Sequence, residues 1–238
     1  MKKEKIIFEN SKGQKLAGVM VTPEKPKATV VFAHGLDGSR AGFEDFYDLV
    51  DAGYRIFAFD FVGRGESEGT TEDITLENDV DSLNSAVKLM KGPVAVVGFS
   101  FGGSAALMAA IENPQVKCLI TWSTGYDFSF VDYKQVKKDG FFILSRPDHR
   151  YTFELIDGLR KANLPEKAKE VKVPWLDLHG DADETIEVEQ ALKLHKNGNK
   201  PKKQVIIKGA AHNFMRPSDI ETATKEIIEW LDKWMAKL

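Results

Sequence analysis

Cysteine is almost missing from this chain, since Cys118 is the only one among 238 residues. No intrachain disulfide can form, so the fold must rely on buried apolar side chains, which a chain of this length can supply. Cys118 lies in the apolar run 118–122, which favours an unreactive thiol of the core over a reactive one.

Charge of one sign is not in excess, and long apolar runs are missing as well. The chain has 33 Lys and Arg against 36 Asp and Glu, a formal net charge of -3. This balance gives no electrostatic reason to expect nucleic acid or an anionic membrane as a partner. No run can span a bilayer, and the basic segment 1–10 lacks the apolar core of a signal peptide. We therefore expect a soluble, cytoplasmic protein.

Short apolar runs alternate with segments of helical periodicity along most of the chain. Such alternation predicts a mainly parallel sheet covered by helices on both faces. The predicted strands are 6–8, 16–21, 28–33, 55–61, 94–97, 116–123, 174–179 and 203–207. The predicted helices are 43–50, 76–90, 104–110, 187–195 and 220–238.

The alternation stops between about residues 125 and 173. This segment is charged and aromatic and has two helical pieces, 151–162 and 165–171. Its aromatic residues and helical pieces are not typical of a linker, so we expect an excursion above the sheet that can cover a site.

The most informative stretch joins a β-branched run, a tight turn and a helix-forming run of small residues. Ser100 lies at the apex of this turn, in the pattern Gly98-x-Ser100-x-Gly102. Small neighbours are needed because a side chain at either glycine would clash when the serine adopts a strained backbone geometry. The elbow presents the hydroxyl beside a helix N-terminus, whose free N–H groups favour negative charge. Ser100 is therefore the candidate nucleophile.

A serine hydroxyl is a weak nucleophile at neutral pH, and histidine is the side chain best suited to take its proton. His212 follows the last predicted strand in a loop of small residues, at the sheet edge where α/β proteins place their sites. It is the candidate base, with a purely packing role as the alternative. The other histidines are expected at structural or surface positions: His34, His149, His179 and His195.

An acid that orients the base is expected in the loop after strand 174–179, which carries Asp181, Asp183 and Glu184. Asp183 is preferred because it lies further into the loop and can reach His212, whereas Asp181 is placed to cap the turn. A solvated turn and a loose cation site are the alternatives. The spacing matches no EF-hand loop, and no His or Cys cluster supports a metal.

Two backbone N–H groups are the expected donors for a developing oxyanion. One belongs to Phe101, the residue after the candidate nucleophile. The other belongs to Leu36, in the loop after strand 28–33, where Gly35 allows a close approach of the chain.

These motifs together resemble the α/β-hydrolase superfamily over nearly the whole chain. The resemblance implies one α/β-hydrolase domain, residues 1–238, with a mainly parallel sheet of about eight strands and a short cap insertion at about 125–173. It also implies a nucleophile, an acid and a base at Ser100, Asp183 and His212, and an oxyanion hole at Leu36 and Phe101. The motifs that carry it are His34-Gly35-x-x-Gly38, Asp60-x-x-Gly63-Arg64-Gly65-x-Ser67, Gly98-Phe99-Ser100-Phe101-Gly102-Gly103, His179-Gly180-x-x-Asp183 and Gly209-Ala210-Ala211-His212.

Within the superfamily the chain looks most like small microbial carboxylesterases near the cinnamoyl and feruloyl esterases and the serine-aminopeptidase-like hydrolases. Arg64 departs from that pattern, because a histidine is common at its position. The segment 63–69 also looks like a dinucleotide-binding loop, but its third glycine comes one residue late and acidic residues flank the would-be phosphate site. The segment 98–104 lacks the lysine of a phosphate-binding loop. No cofactor is therefore expected.

Aromatic side chains in the segment 125–173 can either anchor it to the body or line a pocket for an acyl or aromatic group. Trp122, at the end of the preceding strand, and Phe141 and Phe142 are the candidate substrate-binding residues. Arg146 and His149 are expected at the surface, with contact to a polar end of the substrate as the alternative. The aromatic residues of this segment include Phe128, Phe130, Tyr133, Phe141, Phe142, Tyr151 and Phe153.

The sequence thus predicts a serine hydrolase that cleaves carboxylic esters. The expected partner is a small-molecule ester, without nucleic acid or membrane, and a homodimer is left open. Thioester or amide cleavage and acyl transfer use the same triad and also stay open. A non-catalytic ligand-binding protein on the same scaffold is less favoured, because such a scaffold need not keep all three triad residues.

Overall fold

The computed structural model of the chain describes residues 1–43, 46–128, 131–143 and 149–236. Apolar runs form an eight-stranded sheet, and two short strands pair with each other apart from it. The strands are β1 (Lys2–Glu9), β2 (Lys15–Thr22), β3 (Thr29–Ala33), β4 (Arg55–Phe59), β5 (Val94–Phe99), β6 (Val116–Trp122), β7 (Phe141–Phe142), β8 (Tyr151–Thr152), β9 (Trp175–Gly180) and β10 (Lys202–Ile207).

The main sheet has the strand order β1-β2-β4-β3-β5-β6-β9-β10. Strands β1 and β2 form an antiparallel hairpin, and β2 also pairs antiparallel with β4. From β4 to β10 the neighbouring strands run parallel. The carboxyl ends of the parallel strands therefore share one edge, where α/β sheets place their ligand sites.

Helices connect the parallel strands and cover both faces of the sheet. They are α1 (Tyr47–Asp51), α2 (Leu76–Lys88), α3 (Phe101–Glu112), α4 (Tyr133–Asp139), α5 (Phe153–Ala162), α6 (Leu164–Lys167), α7 (Val188–Asn197) and α8 (Pro217–Trp234). Short 3₁₀ turns occupy Arg40–Gly42, Thr71–Asp73 and Ala168–Glu170. Within the described ranges, none of the helices combines the length and the apolar character needed to cross a membrane.

Successive residues of a strand point to opposite faces, so the strands feed two apolar cores. On β5, Val94 and Val96 pack into one core, and Ala95 and Val97 pack into the other. The first core contains residues of α2, α3 and α5, and the second contains residues of α1 and α8. Burial on both faces explains why the central strands are continuously apolar.

The predicted α/β architecture is confirmed, and most element boundaries agree within a few residues. The expected helix 43–50 is wrong in extent, because α1 begins only at Tyr47. Phe43 and Phe46 precede it and pack on Phe32, with ring centroids 4.9 and 5.6 Å away. Their spacing therefore reflects contacts of the connecting segment with the sheet.

Hydrogen bonds attach the segment between β6 and β9 to the body, and two of these attachments lie near the carboxyl edge of the sheet. The Gln190 side-chain oxygen on α7 accepts the N–H groups of Tyr126 and Asp127, at 3.0 Å each. Further along, the buried Tyr151 donates its hydroxyl to Asp37 in the loop after β3. These contacts fasten the segment to both sides of the carboxyl edge.

Candidate active site

Ser100 lies in the turn between β5 and α3 with φ 53° and ψ -121°, a region that strains any residue except glycine. Its N–H donates to Trp122 O at 2.8 Å, which fastens the turn to β6. A Cβ on Gly98 would lie 2.6 Å from the nearest Cα of α3, and one on Gly102 would collide with the backbone at the end of β3. The clash expected at both glycines is therefore present.

His212 and Asp183 approach Ser100 from the loops after β10 and β9. His212 Nε2 lies 3.0 Å from Ser100 Oγ, and Nδ1 lies 2.8 Å from Asp183 Oδ2. An ionised carboxylate only accepts hydrogen bonds, so Nδ1 carries the proton and Nε2 accepts from the serine hydroxyl. The Asp181 carboxylate instead accepts the N–H of Gly209. The structure thus brings Asp183, and not Asp181, to the histidine.

The Asp183 side chain is buried, and both of its oxygens have donors. Oδ1 accepts the N–H groups of Thr185 and Ile186 at 2.9 and 2.8 Å. Oδ2 faces His212 and lies 3.2 Å from His179 Nε2. Burial raises the pKa of Asp183, but the hydrogen bonds from both histidines and from Ile186 outweigh it and hold this pKa well below its usual range. Asp183 is therefore an anion at neutral pH.

The loop that carries His212 is fixed by contacts with the end of β6. Ser123 donates its hydroxyl to His212 O at 2.9 Å, from a backbone with φ 49°. The ring of Phe99 packs against the imidazole, with centroids 5.1 Å apart. These contacts hold the imidazole in its orientation toward Ser100.

Leu36 and Phe101 both line the cleft that contains Ser100. Phe101 is the first residue of α3, so its N–H is one of those that a helix leaves without an intrahelical acceptor. The loop of Leu36 comes very close to the serine, because a Cβ on Gly35 would lie 3.2 Å from Ser100 Cβ. Both predicted oxyanion donors therefore belong to segments beside Ser100.

His34 connects the loops after β3 and β4. Its Nε2 accepts the N–H of Phe61 at 3.1 Å, so its Nδ1 carries the proton and donates to Gly35 O at 2.7 Å. Burial and the charge of Arg64 lower the pKa of His34 to about 3, although Gly35 O opposes them. His34 is thus a neutral structural histidine, in agreement with its expected role.

The glycine-rich segment 63–69 surrounds a carboxylate of its own chain. Asp60 is buried and accepts the N–H groups of Arg40 and Glu66, at 2.7 and 2.9 Å. A Cβ on Gly65 would collide with this carboxylate. Gly65 therefore permits close packing around Asp60, whereas a Cβ on Gly63 would collide with Thr70 O. This loop encloses a carboxylate, whereas a dinucleotide-binding loop holds a phosphate.

A cleft of about 1140 Å³ opens above Ser100 and His212. Trp122 lines it, as predicted. Phe141 and Phe142, which form β7, are not among the described lining residues. Phe142 packs against Tyr151 at 5.5 Å, and the Arg150 guanidinium lies 4.8 Å from the Phe141 ring centroid. These two aromatic residues anchor their segment.

Residues that the sequence reasoning did not select form much of the cleft wall. From the segment between β6 and β9, Phe128 and Ile143 line the cleft. One side of the cleft carries four aromatic rings that contact one another in series, and Phe99 among them packs against His212. The irregular aromatic spacing around residues 43–46 was the available signal for two of them. This aromatic side consists of Phe43, Phe46, Phe99 and Trp122.

The remaining predictions for this segment have mixed outcomes. Phe130 and Arg146 lie outside the described residues. His149 was expected at the surface, but its side chain is only 16% exposed and its Nδ1 lies 3.0 Å from Asp37 Oδ1. Within the described ranges, His, Cys, Asp and Glu side chains form no group of three or more that could hold a metal ion.

Comparison with known proteins agrees with this architecture. Residues 28–145 match the family model described as alpha/beta hydrolase fold. The chain belongs to the α/β-hydrolase superfamily. The uncharacterized protein YfhR of Salmonella typhi is 25% identical to this α/β hydrolase, over 88% of the present chain and 74% of its own.

Solved structures show the same fold at lower sequence identity. An esterase of Pyrococcus furiosus superposes with a TM-score of 0.79 at 21% identity, covering 98% of this chain and 91% of its own. Est1E of Butyrivibrio proteoclasticus, solved with ferulic acid bound, gives a TM-score of 0.80 at 21% identity, covering 97% and 99%. The α/β-hydrolase fold is therefore shared over nearly the whole length of these chains.

Proposed function

We propose that this α/β hydrolase cleaves carboxylic esters through an acyl-enzyme intermediate on Ser100. The observation that carries the proposal is the continuous hydrogen-bonded line from Ser100 Oγ through His212 to Asp183, at 3.0 and 2.8 Å. Nucleophile, base and orienting acid within hydrogen-bond reach are the geometry that acyl transfer requires.

In the first half of the reaction, Ser100 Oγ attacks the ester carbonyl while His212 Nε2 takes the hydroxyl proton. Asp183 stabilises the imidazolium that forms. The N–H groups of Leu36 and Phe101 donate to the oxyanion of the tetrahedral intermediate. When this intermediate collapses, the C–O bond to the alcohol breaks, and His212 returns the proton to the leaving oxygen.

In the second half, water replaces the alcohol. His212 takes a proton from the water as its oxygen attacks the acyl carbon of the ester on Ser100. Collapse of the second intermediate breaks the bond to Ser100 Oγ, and the proton on His212 returns to that oxygen. The products are one alcohol, one carboxylic acid and the free enzyme.

An ester is the proposed substrate because an esterase of Pyrococcus furiosus is among the structures with this fold. The mostly aromatic side of the cleft suits an apolar group of that ester. Relative kcat/KM values on an ester, a thioester and an amide with the same acyl group measure this preference. The proposal expects the ester to be cleaved fastest.

The Ser100→Ala variant tests the mechanism with short p-nitrophenyl esters. We expect kcat to fall by about a thousandfold or more, because the covalent route is lost while the fold is kept. Ser218→Ala, an exposed serine of α8, serves as the matched control and keeps full activity. Full esterase activity in a folded Ser100→Ala protein would rule out the proposal.

A further inference from the structure

His179 is a second imidazole at the candidate triad. It lies near the carboxyl end of β9, and its side chain is completely buried. Its Nε2 is 3.2 Å from Asp183 Oδ2, the same oxygen that faces His212 Nδ1 at 2.8 Å. One carboxylate oxygen therefore lies between two imidazole rings.

The partners of His179 determine which ring nitrogen carries a proton. Nε2 faces two acceptors, Asp183 Oδ2 and Ile186 O, the latter at 2.9 Å. Neither acceptor can donate, so Nε2 must be protonated and its N–H is shared between them. Nδ1 is buried without a hydrogen-bond partner in the described part of the chain.

These contacts close a small ring around the loop after β9. Ile186 N donates to Asp183 Oδ1 at 2.8 Å, and Ile186 O accepts from His179. The Ile186 side chain lines the cleft and packs so tightly that a Cβ on Gly125 would lie 2.5 Å from it. His179 thus fixes the carboxylate and one wall of the cleft at the same time.

We propose that His179 is a positioning residue of the triad: its Nε2–H holds the Asp183 carboxylate toward His212 and takes up part of its negative charge. This role rests on the proposed hydrolase function. His179 does not touch the substrate, because it is absent from the described lining of the cleft. Its effect on the reaction passes through Asp183 and then His212.

The charged groups that act on His179 are Asp183 and Asp177, which precedes it on the same strand. Asp177 is buried and accepts hydrogen bonds from Thr121 and Gln204, both at 2.7 Å. Burial lowers the pKa of His179, but its bonds to Asp183 and Ile186 and the nearby carboxylates together outweigh it, so this pKa is raised. Both carboxylates favour a protonated imidazole.

Loss of the His179 donor has a defined consequence for the base. With one donor fewer, Asp183 Oδ2 presents more negative charge to His212, which makes protonation of His212 easier. Only neutral His212 can accept the serine proton. The acid limb of kcat/KM against pH must therefore move to higher pH.

Two variants separate this role from a merely structural one. His179→Phe removes the donor, and His179→Gln places an amide N–H near the position of Nε2. For His179→Phe we expect a fall in kcat of about ten- to a hundredfold and an acid limb about half a unit higher. We expect His179→Gln to recover most of kcat and the original limb.

His195→Phe is the matched control, because this histidine packs on Trp175 away from the triad. We expect it to leave the acid limb where it is. A folded His179→Phe protein with the kcat and acid limb of the natural protein would overturn the proposal. So would equal losses in the Phe and Gln variants without movement of the limb.

A measurement on the unaltered protein keeps the proposal open to refutation even where His179→Phe fails to fold. Nitrogen-15 NMR of the histidine rings reports which nitrogen of His179 is protonated. We expect a proton on Nε2 throughout the active pH range, and a bare Nε2 would overturn the proposal. This readout does not depend on hydrolysis, whereas a chain that fails to react at Ser100 fails the proposed function whatever His179 does.

Discussion

Buried titratable side chains around the site have opposite protonation preferences, and their hydrogen-bond partners explain why. Asp183 receives donors on both oxygens and stays ionised. His34 has one acceptor and one donor as neighbours, together with the charge of Arg64, and stays neutral. Burial by itself disfavours the charged form of both groups, and their hydrogen-bond partners and nearby charges decide which form prevails.

The neutral state of His34 predicts a dependence of stability on pH. The pKa of His34 is about 3 in the folded chain against 6.5 for an ordinary histidine. Between these values the unfolded chain binds a proton that the folded chain does not, so the free energy of unfolding falls as pH falls. The His34 contribution to this slope is about 1.4 kcal/mol per pH unit.

Urea denaturation of the natural protein and of His34→Gln, from pH 6.5 down to pH 4, measures this slope. Glutamine does not titrate, and its side-chain oxygen can accept the N–H of Phe61. We expect the free energy of unfolding of the variant to depend less steeply on pH, by the amount that uptake of one proton contributes. An unchanged slope would contradict a neutral, buried His34.

Among single residues, the approach of Ser100, His212 and Asp183 to one another could be predicted, because each follows a predicted strand in a recognisable motif. The contact of His179 with Asp183 could not, although both residues were noticed. A histidine at the end of a buried strand can turn to a backbone carbonyl, a carboxylate or solvent. Only the path of the loop 181–186 brings the carboxylate back to it.

Among the elements, the turn from β5 to α3 depends most strictly on its sequence. A Cβ on Gly98 would lie 2.6 Å from a backbone atom of α3 and 2.7 Å from the Cβ of Ala106. Neither neighbour can rotate away, because one is backbone and the other is the first atom of its side chain. The helix can approach the strand only where glycine stands.

Gly98→Ala is therefore expected to destabilise the protein by about 1–3 kcal/mol and to reduce activity, because α3 must move and Ser100 moves with it. Gly158→Ala is the matched control, since a Cβ there meets nothing within 4 Å and the residue lies inside α5. We expect that change to stabilise by about 0.5–1 kcal/mol. Thermal unfolding of both variants checks the pair, and equal effects would contradict the packing account.

In the segment between β6 and β9, only some of the secondary-structure elements could be predicted from the sequence. Its helix around residues 153–162 was anticipated from apolar spacing. The two-residue strand of Phe141 and Phe142 was not, because so short a run has no period to recognise. Neither ring is among the described lining residues of the cleft, and their strand pairs with β8, a contact between separate parts of the chain that no local pattern contains.

For the molecule as a whole, the mainly parallel sheet and the edge that carries the site follow from the alternation of strands and helices. The chemical character of the cleft does not, because its wall comes from separate loops. Among the described lining residues there are three Asp and Glu side chains and no Lys or Arg: Asp37, Glu184 and Glu187. We therefore expect the cleft to disfavour anionic substrates.

A hemisuccinate ester and a neutral ester of matched size test this charge preference. At low salt we expect kcat/KM to be about three- to tenfold lower for the anionic ester, and added salt to narrow the gap. The double variant Glu184→Gln, Glu187→Gln should raise activity on the anionic ester and leave the neutral one unchanged. Equal rates for both esters in the natural protein would contradict the expectation.

The central claim is that Ser100 is a nucleophile activated by His212. Intact-mass analysis after treatment with a fluorophosphonate tests it most directly, because the reagent needs an activated serine and no knowledge of the natural substrate. The account predicts one adduct per chain, located on Ser100, and none in folded Ser100→Ala. A folded natural protein that stays unlabelled, or that is labelled at another residue, would contradict it.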